Sequence, residues 1–211
     1  MARRERTAAL KDTLAYEAAR IMVDQGLTDF EHARRKAAAR AGVRDRRNWP
    51  SNEAVQEAIL THRRLFLGDA HFLERRELRR HALSAMRVFA AFSPRLVGAA
   101  LTGTGDLQGG VQMFLFADRA EDVIFALIER NIPWQEGERS FRYPQGQRAS
   151  HPEFRFLAGE VPVSLIVLPS DHLRHPPLDP VTDRPQRGAS VAEVEQMLAE
   201  EESDYRFEMG R

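Results

Sequence analysis

Apolar residues recur at three- and four-residue spacing through the first part of the chain, then change to alternation. Leu10, Leu14, Ala18, Ile21 and Met22 share one helical face and predict a helix over about 7–25, stopped by Gly26. Thr28-Asp29-Phe30-Glu31 reads as a capping box with Thr28 at the N-cap, opening a helix to about Arg40. After a linker over 43–50, Ser51 is the expected N-cap of a helix to about Phe66, with Val55, Ile59 and Leu60 inward. Gly68 breaks it, and Asp69 is the expected cap of a long helix over about 70–91 carrying Leu78, Leu83, Met86 and Phe89.

Ser93-Pro94 ends the helical pattern, because proline disfavours helix in the residue before it. Leu96–Leu101 reads as a short strand, 102–110 as a Gly-rich loop, and Val111–Phe116 as a second strand. Asp118 is the expected cap of a helix over about 119–130, followed by a strand over about 134–142. Phe154-Arg155-Phe156-Leu157 alternates, and Val161–Leu168 is the most strand-like stretch of all. Residues 169–190 hold five prolines and no apolar run, which predicts an extended segment on the surface. Ser190-Val191-Ala192-Glu193 is a second capping box, opening a helix to about Glu202, with a frayed tail over 203–211. These elements define an α+β chain: a helical region over 1–92, a mixed-sheet α/β core over 93–168, and a Pro-rich segment with a C-terminal helix over 169–211.

Composition narrows the chemistry. The 211 residues include no cysteine, which removes disulfides, thiolate metal sites and cysteine nucleophiles. No apolar run approaches the roughly 20 residues of a membrane span. No apolar stretch follows the basic N-terminus either, so no membrane partner is expected and the cytoplasm is the expected location. Net charge is zero but unevenly spread: residues 1–95 carry 20 Lys and Arg against 12 Asp and Glu, and residues 96–211 carry 11 against 19. Two readings stay open. Either oppositely charged segments attract each other, or Arg34, Arg35, Lys36, Arg40, Arg46 and Arg47 form a basic patch for nucleic acid, with Trp49 available for stacking.

From Leu78 onward the order is helix, strand, Gly-rich loop, strand, helix and three strands, with Gly98-Ala99 closing the first strand and Gly109-Gly110-Val111-Gln112 entering the second. This resembles the polymerase-beta-type nucleotidyltransferase superfamily. There the first strand ends in Gly-Ser, the second carries two carboxylates one residue apart, and a later strand adds a third. Residues i and i+2 on a strand face the same way, so such a pair can hold the two Mg²⁺ ions of phosphoryl transfer. The resemblance puts Gly110 and Gln112 at the first two carboxylate positions and Ser164 at the third. It therefore implies the fold without its metal chemistry: no catalytic residue, no metal ligand, no cofactor and no Mg²⁺. The implied site is nucleotide-binding, with Gly98, Ala99, Thr102, Thr104, Gly109, Gly110 and Gln112 around the loop. The function expected is binding of a nucleotide or of a protein partner. The alternatives are the nucleic-acid module above and an active nucleotidyltransferase with a non-standard site, for which the loop carboxylate Asp106 is the nearest candidate. The helices and Pro-rich segment that flank this core are also similar to those of bacterial proteins of this size, a likeness that carries no function.

Other motifs add little. The Gly-rich loop lacks the Lys-Ser/Thr ending of a P-loop and precedes a strand, so it reads equally as a hairpin connection. None of the seven histidines forms a His-Glu-x-x-His pair; His172 and His175, near Asp171 and Asp179, are the nearest approach to a loop metal site. Ser164 lacks a nucleophile elbow. The run 74–80 reads as a solvated helix face with pairs such as Glu77 and Arg80.

Overall fold

A computed structural model describes residues 2–209. The chain forms two compact units, Met1–His71 with Pro180–Asp183, and Phe72–Asp179 with Arg184–Arg211. The architecture is α+β, a helical region followed by a mixed sheet. The division falls near the start of the fourth helix rather than at Ser93-Pro94. The apolar stripe of that helix, Leu78, Ala82, Met86 and Phe89, belongs to the sheet's core.

In the first unit α1 (Ala2–Gln25) packs against both α2 (Phe30–Arg40) and α3 (Asn52–Leu67). Leu14, Ala18, Ile21, Ala33, Ala37, Val55 and Ile59 make the core, and the alanines let the helices approach closely. Ser51 caps α3 as expected, accepting from the Ala54 N–H at 3.1 Å. The cap of α2 is Asp29 rather than Thr28, its carboxylate accepting from the His32 N–H at 3.1 Å. The capping box fails because Glu31 does not reach back; it binds Arg34 and Arg46 instead. Asn52 donates to Pro180 O at 2.8 Å, holding the returning segment 180–183.

The second unit contains α4 (Asp69–Val88) from Phe72 onward, β1 (Arg95–Val97), α5 (Gly98–Thr102), β2 (Val111–Phe116), α6 (Ala120–Glu129), β3 (Gln135–Arg142), β4 (Arg148–Ala158), β5 (Val161–Leu168) and α7 (Val191–Met209). The sheet order is β1-β2-β5-β4-β3, with β2 and β5 parallel and every other neighbour antiparallel. Val111, Met113, Leu115, Val163, Leu165, Val167 and Phe154 turn one face toward apolar residues of α4, α6 and α7. The opposite face carries a smaller apolar cluster of Val97, Phe114, Phe116, Ile166 and Leu168.

Four elements differ from expectation. The strand over 96–101 stops at Val97, because Gly98 takes φ +69° and starts a short helix. Asp118 does not cap α6; its carboxylate accepts from the Ser170 N–H at 3.0 Å, and Arg119 occupies the N-cap without a side-chain bond. β4 begins at Arg148, six residues before the apolar alternation. α7 continues past Glu202 to Met209, while Gly210 and Arg211 lie outside the described residues.

The Pro-rich segment is not the extended surface segment expected: it opens with a 3-10 helix over Ser170–Leu173, buries Pro176 and Pro177, and is tied to the sheet. Leu178 N–H donates to Arg142 O at 2.7 Å, and Ala189 exchanges backbone bonds of 2.8 and 2.9 Å with Leu96. That second contact covers the outer edge of β1, which would otherwise present unpaired backbone groups. Gly188 is required beside it: its φ is +66°, and a Cβ there would lie 2.7 Å from Leu96 O.

The charge asymmetry has a structural use within this unit. Arginines of α4 and β1 meet glutamates of α7: Arg87–Glu195 at 2.6 Å, Arg95–Glu193 at 3.4 Å, Arg75–Glu201 at 2.8 Å, and the pairs Arg76–Glu202 and Arg79–Glu201. Arg79 and Glu201 are buried, and Arg79 also donates to Ala100 O at 3.3 Å and to Leu101 O at 2.8 Å. Burial pushes the Arg79 guanidinium below its ordinary value, and the Glu201 carboxylate opposes that shift. Removing one member of a buried ion pair strands the other, at about 3–5 kcal/mol, whereas replacing both by apolar residues is often neutral. Thermal unfolding of Arg79→Met should therefore show a large loss of stability that Arg79→Met/Glu201→Met substantially restores. Equal loss in both variants would show that the pair does not carry the α4–α7 contact.

Candidate functional site

The loop residues singled out in the sequence are brought together at one end of β1 and β2. Gly98 turns the chain at positive φ, and a Cβ there would lie 3.0 Å from Gln112 Oε1, so the bare turn leaves room for the Gln112 amide. Ala99 is exposed in the first turn of α5, and its carbonyl accepts from Gly103 and Gly105 at 3.0 and 3.1 Å. The Thr102 and Thr104 hydroxyls lie 2.9 Å apart and share a hydrogen bond. Gly109 N–H donates to Asp106 Oδ1 at 2.7 Å, Gly110 N–H to Asp106 O at 3.1 Å, and Leu107 N–H to Glu74 Oε1 at 3.2 Å. Four amides of this stretch thus serve its own closure, and a fifth is held by Glu74 of α4. Asp106 acts there as a turn-forming acceptor.

Register decides what else reaches this end of the sheet. Gln112 pairs with Ser164 across the parallel β2–β5 ladder, and Val97 pairs with Gln112 on the other side. On the same face Ser164 is opposite Arg155 of β4. Gly110 follows differently. A Cβ there would sit 2.2 Å from Pro162 O, so no side chain fits without moving the backbone.

The most buried carboxylate of this face is one the sequence did not flag. Glu153 is 8% exposed, and the Ser164 hydroxyl donates to its Oε1 at 2.5 Å. Arg139 Nε lies 3.9 Å from the same oxygen. The alternation His151, Glu153, Arg155 was the available signal.

The polar face continues into a second unflagged group. His151, two residues from Glu153, forms a 2.7 Å bond with the Tyr143 hydroxyl, and both are buried. His172 stacks edge-on against each, at 5.1 Å from the Tyr143 ring and 5.7 Å from the His151 ring, and its Nδ1 lies 2.8 Å from Asp171 Oδ1. Burial pushes the Tyr143 hydroxyl up to about 12, with Asp171 adding to it. Burial lowers His151, assisted by His172. The His172 hydrogen bond lowers Asp171. His172 is thus occupied with its ring neighbours, and no group of three or more His, Asp and Glu among the described residues is placed to hold a metal ion.

Three of the six residues of the basic patch, Arg34, Arg40 and Arg46, are matched by acids. Arg34 lies 2.5 Å from Glu31, Arg40 lies 2.7 Å from Glu17, and Arg46 pairs with Glu31 while covering the Trp49 ring at 5.0 Å. Lys36 donates to Gln25 at 2.8 Å, and Arg35 contacts His32 at 3.3 Å. Arg47 is exposed. Trp49 directs its Nε1–H to Val43 O at 3.5 Å. Among the described residues no helix is long and apolar enough to cross a membrane. No family model matches the chain, and neither a curated protein nor a solved structure matches it significantly.

The buried His151 yields a pH prediction. Its folded value lies below the ordinary one, so the unfolded chain binds a proton that the native state refuses. Its contribution is complete above about pH 6.5 and is lost as pH falls from there toward the lowered folded value. Urea midpoints should fall between pH 7.5 and 5.5, and His151→Gln should flatten that slope. An unchanged slope in the variant would assign the effect elsewhere.

Proposed function

We propose that the second unit is a nucleotidyltransferase-like domain without metal chemistry, which acts by binding a nucleotide or a protein partner. The observation that carries this reading is the β2–β5 register. It sets Gln112 beside Ser164, next to the Gly98 turn. In the resemblance those are positions for metal-binding carboxylates, and here they hold an amide and a hydroxyl. Mg²⁺ favours near-octahedral oxygen coordination, and this part of the face offers the Glu153 carboxylate, which is already engaged by Ser164. The exposed Thr102 and half-buried Thr104 hydroxyls, the Ala99 turn and the Gln112 amide suit neutral hydrogen bonding to a nucleotide.

Thermal unfolding with a panel of nucleoside triphosphates, with and without Mg²⁺, tests the nucleotide form of the proposal. A ligand present at about 100 times its dissociation constant adds roughly 2.7 kcal/mol to native stability. The expected result is a shift that does not need the metal. A strictly Mg²⁺-dependent shift means a working metal site and overturns the reading, and no shift with any nucleotide leaves the protein-partner form alone.

Position 110 offers a second check. Gln112→Asp with Ser164→Asp should be tolerated, because both side chains already point from half-exposed positions. Gly110→Asp should instead lower the melting temperature sharply, since its Cβ would meet Pro162 O at 2.2 Å at positive φ. Such strain costs of the order of 1–3 kcal/mol. A Gly110→Asp protein as stable as wild type would mean that the loop is not closed onto β5.

A further inference from the structure

The two edges of the sheet are treated differently. At β1 the backbone of Ala189 covers the outer side. At the other end of the strand order β3 pairs with β4, in a register that runs without a bulge from Gln135–Arg155 to Arg142–Arg148. Among the described residues the outer side of β3 receives one backbone bond, from Leu178 N–H to Arg142 O, at the last residue of the strand. In an antiparallel pair alternate residues turn their N–H and C=O groups to the same side. Since Arg142 O faces outward, the backbone groups of Glu136, Glu138 and Ser140 face outward too. These residues are exposed, as is Arg142. Edge strands are ordinarily blunted by proline, by a bulge, by a covering segment or by charge. Over 135–141 β3 has no proline and no bulge, and what remains is its charge.

That charge is sorted by sign. Glu136 and Glu138 lie in the first half of the strand, and Arg139 and Arg142 in the second. A parallel copy in register would set like charges side by side. An antiparallel copy, related by a two-fold axis at Arg139, sets Glu136 opposite Arg142 of the second copy at one end and repeats the pair at the other. Glu138 then faces Ser140 of the second copy, whose hydroxyl is a donor for its carboxylate. Opposite charges directly across two strands stabilise their pairing, and like charges oppose it. Glu138 and Ser140 are also the outward-facing residues of these rungs, so their backbones exchange four hydrogen bonds across the axis. Arg139 meets its own copy there, with the Glu153 carboxylate of its own chain 3.9 Å from its Nε. Arg142 is engaged within its own chain as well, and the five donors of a guanidinium serve both.

We propose that the outer edge of β3 is a self-association surface, occupied by β3 of a second copy of this chain in an antiparallel, two-fold arrangement. The Leu178 contact at Arg142 limits the shared ladder to 137–141 of each copy, with the Glu136–Arg142 pairs closing its ends. The interface is isologous, so one strand supplies both halves of it. It is independent of the nucleotide reading, which concerns the Gly98 loop.

The test is sedimentation equilibrium of the full chain over a range of concentrations at low salt. A reversible monomer–dimer equilibrium is expected. Glu136→Arg and Arg142→Glu should each weaken dimerisation at least tenfold, because each sets like charges opposite at both ends. An equimolar mixture of the two variants should recover it, since opposite charges then face each other at both ends of a mixed dimer. Ser140→Pro should also weaken it at least tenfold by removing an outward N–H, and should keep the monomer's circular dichroism, because proline is tolerated on an edge strand with its missing N–H toward solvent. A chain that is monomeric at every concentration overturns the proposal. So does a dimer undiminished in these variants, which would place its interface elsewhere, and so does a mixture that pairs no better than its components. If Ser140→Pro fails to fold, the exposed charge variants decide. The thermal shifts with nucleoside triphosphates are read separately, so failure of the dimer leaves the nucleotide reading standing.

Discussion

The parallel pairing of β2 with β5 is the constraint from which the second unit follows. Parallel neighbours cannot be joined by a tight turn, so the chain between them must leave the sheet and return. Here residues 117–160 make that excursion as α6 and the β3–β4 hairpin, and β4 then lies against the free side of β5. One pairing thus sets the strand order, places Gln112 beside Ser164, and delivers Glu153 and Arg155 from β4 to the same face. It also explains how an almost wholly apolar strand, Val161–Leu168, tolerates Ser164: the hydroxyl of Ser164 is satisfied by Glu153, which in turn gains a hydrogen bond it needs when buried.

Arg79 connects this sheet to its helices. Its guanidinium reaches the last carbonyls of α5 and the Glu201 carboxylate of α7, so one buried cation satisfies groups from two elements besides its own. A helix as short as α5 contributes little stability by itself, because nucleation costs are recovered only over longer runs. Its position beneath the Gly-rich loop therefore depends on the contacts made from outside it. The Glu74 carboxylate acts similarly, one turn earlier on α4, by accepting from Leu107 N–H. Electrostatics that looked like a property of two chain halves is, at these residues, a device for holding a loop.

What was legible in the sequence was what is decided locally. Val161–Leu168 and Val111–Phe116 emerge at the expected bounds, and the Ser190–Glu193 capping box forms as written, with Ser190 N–H donating to Glu193 at 2.7 Å. Where another partner or a backbone turn competed, the reading failed. Glu31 was taken by arginines, Asp118 by the Ser170 amide, and the apolar run 96–101 by the left-handed turn at Gly98. β4 was the largest miss, because half of it faces a polar surface and its sequence there looks like a loop. The loop end of the candidate site was visible, since Gly98, Gln112 and Ser164 depend on strand order alone. Glu153 and the Tyr143–His151–His172 cluster were not, because they are assembled across strands and from the Pro-rich segment.

On the nucleotidyltransferase reading, the absent carboxylates are not three independent losses. Gln112 and Ser164 are ordinary side-chain replacements on half-open positions, reversible in principle one at a time. Position 110 is different, because the backbone itself has closed against Pro162 O, leaving no volume for a side chain. A first metal ligand there would need β5 to recede at its entry, next to the Val111–Val163 pair, and both of those residues are buried in the main core. Packing and chemistry are therefore coupled at that point. The packing that stabilises the parallel ladder also keeps a carboxylate out of position 110.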